Sequence, residues 1–114
     1  MKRFTVLLAI LGVFLFCGAA LAAPAQLNFT TGSMGGGFYA IGGGLADYVT
    51  KHVPEVEITA VTSGGVNENI NKLDSGQAEI GMLNTIDPPL AFEGKAPYKK
   101  VYDRMRGMGI LYLQ

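Results

Sequence analysis

The chain has no tryptophan, one histidine and one cysteine in 114 residues, and only 16% of its residues are charged. Each scarcity removes a class of function. Cys17 alone makes neither an intrachain disulfide nor a thiolate cluster for a metal. His52, the lone histidine, stands beside Lys51 at the end of a helical pattern, where a cation complements the helix dipole. Neither Ser33 nor Ser63 has a histidine that local spacing would bring alongside, so a hydrolase triad has no support. No Gly-Lys-Ser/Thr occurs, which excludes a phosphate-binding P-loop. No acid–base pair, metal cluster or cofactor motif stands out, and an enzyme is not expected.

The start of the chain is unlike the rest. Lys2 and Arg3 precede an apolar run from Phe4 to Phe16, and the small residues "CGAALAAPA" follow. This is the layout of a secretory signal, with Ala20 and Ala22 at the two small-residue positions of the cleavage site. The expected division is a signal peptide over 1–22 and an exported chain over 23–114. An uncleaved anchor is the competing reading, disfavoured by the internal glycines and the Ala-x-Ala site. Cys17 follows "FLF" rather than a small residue and is read as part of the apolar core, leaving the exported chain without cysteine. Because Lys2 and Arg3 lie in the leader, the nine basic residues fall to seven against nine acidic, a net charge of −2. Nothing in that balance attracts nucleic acid.

Glycine, by contrast, is abundant. Of sixteen in the chain, seven lie between Gly32 and Gly44, in "TTGSMGGGFYAIGGG". Leu27 to Thr31 reads as a strand, and Phe38, Ile41, Leu45, Tyr48 and Val49 give the stripe of a helix over 38–51. "VPEVEITAV" alternates Val56, Ile58 and Ala60 with Glu57 and Thr59, a second strand. The plan then repeats: a loop "TSGG", a helix from Val66 to Asp74 stopped by Ser75-Gly76, and a third strand "AEIGMLN". "TIDPPLAFEG" predicts a short helix with Thr85 or Asp87 as N-cap and Pro88 and Pro89 in its first turn. A linker leads to "RGMGILYL", expected as a fourth strand. Strands alternating with helices imply an α/β fold, a parallel sheet built from right-handed βαβ units. Ligands in such sheets bind beyond the carboxyl ends of the strands. Three loops occupy that edge: "TGSMGGG", "TSGG" and "NTIDPP".

Helix starts near Gly37 and Val66 both follow strands there, and their unpaired N–H groups suit a carboxylate or other small anion. A turn needs only one or two glycines, so the 32–37 cluster, with Gly36 and Gly37, favours close approach of a ligand to the backbone. Gly42 to Gly44 lie inside the helix and are expected to pack against the sheet. Ser63, Gly64 and Gly65 form either an ordinary turn or, in register with the first loop, part of the same site. Tyr39 either lines a pocket or joins the core. Asp87 is foremost a helix cap, with ligand contact as the sharper alternative. Gly35, Gly37 and Ala40 fit G-x-G-x-x-A, yet Val61 and Thr62 stand where a dinucleotide site needs a carboxylate.

The succession "TTGSMGGGFYAIGGGLADYV", "ITAVTSGGVNENINKLDSGQAEIGMLN", "IDPPLAFEG" and "MRGMGILYL" resembles the amino-terminal part of the TAXI-family solute receptors, the extracytoplasmic binding subunits of one class of TRAP transporters. The resemblance implies a type II periplasmic-binding-protein fold of two α/β lobes, of which this chain would supply part of the first. It implies a periplasmic receptor that captures a small organic anion, such as glutamate or a dicarboxylate, and delivers it to the membrane permease subunits. Carried over by residue, the family's aromatic stretch after glycine falls on Gly37, Phe38 and Tyr39, and its Gly-Ser-x-x-Asn segment falls on Gly65, Val66 and Asn69. Val66 replaces the family's usual serine, removing a hydroxyl from a helix start. The chain stops at Gln114, before the crossover to a second lobe, and is expected to be a fragment, a truncated frame or half of a split gene. The alternative is an interaction module whose open sheet edge is completed by a partner.

Overall fold

The structure, a computed structural model, describes residues 23–112. The expected signal peptide over 1–22 lies outside the described residues. Six elements follow one another: β1 (Ala25–Thr30), α1 (Gly37–His52), β2 (Val56–Val61), α2 (Val66–Ser75), β3 (Ile80–Gly81) and α3 (Asp87–Glu93). The three strands form one parallel sheet in the order β2-β1-β3. β1 runs in register with β2 from Ala25 opposite Val56 to Thr30 opposite Val61, and meets β3 at Phe29–Ile80 and Thr30–Gly81. This is the expected α/β architecture, a parallel sheet flanked by helices, as in a periplasmic-binding-protein-like lobe.

Side chains alternate along β1, and that alternation assigns the helices to opposite faces. Phe29 is buried against Ala46 of α1 and Met82, with Phe38, Leu45, Ile58, Ala60, Ile80 and Tyr112 packed around them. Thr30, the next residue, points the other way and donates its hydroxyl to Asn69 of α2. On that second face Ile70, Ala91, Tyr98, Tyr102 and Met105 form a separate core with Val66, Leu73, Leu83 and Leu90.

Local chemistry sets the boundaries. β3 is shorter than the expected 78–84, but Glu79 N–H donates to Asn28 O and Met82 N–H to Thr30 O, so pairing with β1 continues at both ends. α2 stops as expected: Gly76 is left-handed at φ 72°, and Gln77 N–H reaches back to Lys72 O. The N-cap of α3 differs from expectation. Neither Thr85 nor Asp87 caps it; Asn84 does so from outside, its Oδ1 accepting from the N–H groups of Ile86 at 3.1 Å and Asp87 at 2.8 Å. Among the helical glycines only Gly42 packs as expected, since a β-carbon there would stand 2.4 Å from Thr31 Cγ2. Gly43 and Gly44 face open space. The expected fourth strand is also absent among the described residues. Residues 106–111 form no strand and leave Met108, Ile110 and Leu111 exposed, while Tyr112 packs against the Phe29 core.

Before that segment, residues 95–105 form a strap over α2. Tyr98 and Tyr102 meet edge to face at 5.6 Å, and Lys100 lies over the Tyr102 ring while pairing with Asp74 at 2.6 Å. In place of the expected linker, the segment buries Tyr98, Tyr102 and Met105 in the core.

Candidate functional site

Parallel strands carry their following loops to one edge, and here the three loops are stitched together by the strand ends themselves. Thr31 donates both its N–H (3.0 Å) and its hydroxyl (2.9 Å) to Val61 O, joining the first loop to β2. Ser63 N–H donates to Gly32 O, joining the second loop to the first. Asn69 completes the join. Wholly buried, it accepts from Thr30 Oγ1 at 2.6 Å and donates to Thr31 O and Met82 O, each at 2.7 Å. Its amide is spent on the ends of β1 and β3, so the side chain marked by the sequence as a binding candidate supports the edge from beneath.

The glycine loop divides by position. A β-carbon at Gly32 would stand 3.0 Å from Phe38 Cβ, and Gly35 is left-handed at φ 87°, so these two serve packing and the turn. Gly36 is the N-cap of α1 in an extended conformation open to any residue, and a β-carbon there would meet only Ser33, at 3.1 Å from its carbonyl oxygen. Gly37 has nothing within 4 Å of its missing side chain. The helix therefore opens through two glycines with no acidic residue in its first turn, and the N–H groups of that turn have no intrahelical acceptor. Tyr39 sits half-buried in the same turn.

In the second loop the polar groups are largely engaged within the loop. Ser63 is buried; its hydroxyl accepts from Gly65 N–H at 3.1 Å and donates to Thr31 O at 3.4 Å. Gly65 takes φ 114° with ψ −161°, a conformation that selects glycine. Gly64 N–H donates to Glu68 Oε2 at 2.7 Å, while Glu68 Oε1 pairs with Lys72 at 2.7 Å and Lys72 also donates to Thr62 O. Lys72 and the Gly64 N–H hold the Glu68 carboxyl below the usual carboxylate range. Val66 packs its side chain into the α2 core, which leaves the backbone of the first turn to face the edge. The i, i+4 spacing of Glu68 and Lys72 is the local sequence signal for this pair.

Asp87, in the third loop region, accepts from Tyr98 Oη at 2.7 Å on Oδ1 and from Asn84 Nδ2 at 2.5 Å on Oδ2. Tyr98 Oη is equally close, 2.7 Å, to Asn67 Oδ1 at the start of α2. Burial and the Asp87 carboxylate push the Tyr98 phenol well above its usual range, so the hydroxyl stays protonated as a donor. Tyr98 lies eleven residues beyond Asp87 in what read as a linker, and no local pattern could have placed it here. Among the described residues no group of three or more His, Cys, Asp or Glu side chains is arranged to hold a metal.

The edge is thus a surface of backbone donors at two helix starts, uncharged along the glycine loop and bordered by carboxylates already held by protein partners. No solved structure matches the chain. The model of the NMT1-like family matches residues 29–114, from the end of β1 through all three loops and the strap. With that match spanning the whole edge, the chain belongs to the NMT1-like family, a periplasmic-binding-protein-like family whose role is of the solute-binding type.

Proposed function

We propose that the chain, exported by cleavage after Ala22, is an extracytoplasmic receptor of the TAXI type in a TRAP transporter. Its strand-end edge forms one wall of a cleft for a small organic anion such as glutamate or a dicarboxylate. The captured solute then passes to the membrane permease subunits. One observation carries the reading: the first turns of α1 and α2 open at the same sheet edge, and α1 does so through Gly36 and Gly37 without an acidic residue. In this reading Gly36, Gly37 and Tyr39 border the ligand at α1. The backbone from Ser63 through Val66 borders it at α2, Asp87 marks the far side, and Asn69 holds the floor.

A single wall leaves the ligand partly in water, so affinity in the chain alone is weak. Titration of the mature chain with glutamate, 2-oxoglutarate and succinate, followed by amide chemical shifts, should perturb Gly37 to Tyr39 and Val66 to Glu68. The expected dissociation constant is about 1 mM or weaker, near −4 kcal/mol. Gly36→Val should remove the response at α1. Unperturbed amides at both helix starts would overturn the reading, and micromolar affinity would overturn the single wall. The exposed Met108, Ile110 and Leu111 favour a second reading, completion of the open sheet edge by a partner polypeptide. Self-association or capture of a partner without any response to the three anions would select it.

A further inference from the structure

We infer that Tyr98 is a positioning residue for the strand-end site, fixing the start of α2 against the loop after β3. This rests on the reading of that edge as the solute site. Asn67, Asn71 and Asp74 lie at i, i+4 and i+7 on α2 and so share one stripe. The strap supplies a donor to each of them: Tyr98 Oη lies 2.7 Å from Asn67 Oδ1, Tyr102 Oη donates to Asn71 Oδ1 at 2.9 Å, and Lys100 Nζ donates to Asp74 Oδ2 at 2.6 Å. The side-chain hydrogen bonds of Tyr102 and Lys100 end on α2, and the Tyr102 N–H, which bonds to Ala91 O of α3, is untouched by loss of its hydroxyl. Of these three side chains Tyr98 alone crosses to another element, its hydroxyl meeting Asp87 Oδ1 at 2.7 Å.

That crossing has consequences on both sides. Asp87 is tied through Oδ2 to Asn84, whose Oδ1 holds the N–H groups of Ile86 and Asp87. Asn67 is the second residue of α2, in the turn whose backbone N–H groups face the edge. One phenol proton shared by the two acceptors therefore sets the spacing between the second and third loops. Tyr98 is only 7% exposed, so water does not replace the hydroxyl when it is removed.

Tyr102 supplies the matched control, being four residues along the same strap, with the same chemistry on the same helix, but directed away from the edge. Two variants, Tyr98→Phe and Tyr102→Phe, are compared with the wild-type chain by amide hydrogen exchange without ligand and by glutamate titration. Tyr98→Phe should speed exchange at Gly64 to Glu68 and around Asn84 to Asp87, and should raise the glutamate dissociation constant about threefold or more, the scale of one lost hydrogen bond. Tyr102→Phe should do neither, although it lowers thermal stability to a similar degree. Equal effects of the two variants on exchange and on affinity would overturn the inference and leave Tyr98 as a fastening of the strap. Because the exchange comparison needs no ligand, a wild-type chain that ignores glutamate defeats the solute reading alone, while the contrast between the variants still judges Tyr98.

Discussion

A β-carbon at Gly42 would stand 2.4 Å from Thr31 Cγ2, and one at Gly43 would touch nothing. Thr31 cannot move aside easily, because it is fully buried and both its N–H and hydroxyl are committed to Val61 O. Gly42→Ala should therefore cost about 1 to 3 kcal/mol, as overpacked sites do. Gly43→Ala should instead gain up to about 1 kcal/mol from helix propensity. Thermal melts of the two variants check both signs, and equal shifts would show that the close contact to Thr31 is relieved by movement of α1. The glycine run announced that something approaches this helix closely. It carried no sign of which glycine was approached, because the angular position of each residue relative to the sheet is set by how α1 lies on Phe29 and Ile58.

At the scale of elements, α2 shows how a helix start is held without a conventional cap. Gly65 occupies the N-cap position with no side chain to offer, so Ser63 takes the Gly65 N–H and Glu68 reaches back to the Gly64 N–H. The pH dependence follows from Glu68. Its carboxyl titrates lower in the folded chain than in the unfolded one, so its contribution is present above the unfolded pKa and is lost as pH falls through the folded value. Glu68→Gln should lower stability in the neutral region and flatten the acid limb from about pH 5 downward, so that the two curves converge at low pH. Denaturant melts across that range measure it, and parallel curves for the two proteins would remove Glu68 from the acid response. The order of elements and the stop of α2 at Gly76 were legible in the sequence, since both rest on local spacing and a left-handed glycine. The N-cap of α3 was not, because Asn84 acts from outside the helix, beyond the Thr85 and Asp87 that composition suggests.

The described residues fold around two cores, one on each face of a three-stranded sheet, with the strap closing the second. In the proposed export, the mature amino terminus lies near Ala23, just ahead of β1. Mass spectrometry of periplasmic material should find that terminus, whereas an intact Met1 in the membrane fraction would establish the anchor instead. By itself the sequence determined the α/β class, the parallel βαβ order and the edge that carries the loops, because hydrophobic period, glycine stops and crossover length are all short-range properties. Only the tertiary structure decided that Asn69 is spent on the ends of β1 and β3, that Tyr98, Tyr102 and Met105 of 95–105 are core rather than linker, and that residues 106–111 form no strand. The first two depend on partners thirteen to thirty-nine residues away, Asn69 on Met82 and Thr30 and Tyr98 on Asn67. No local pattern encodes such a partner, since a buried polar group must find whichever donor or acceptor the packed faces bring to it.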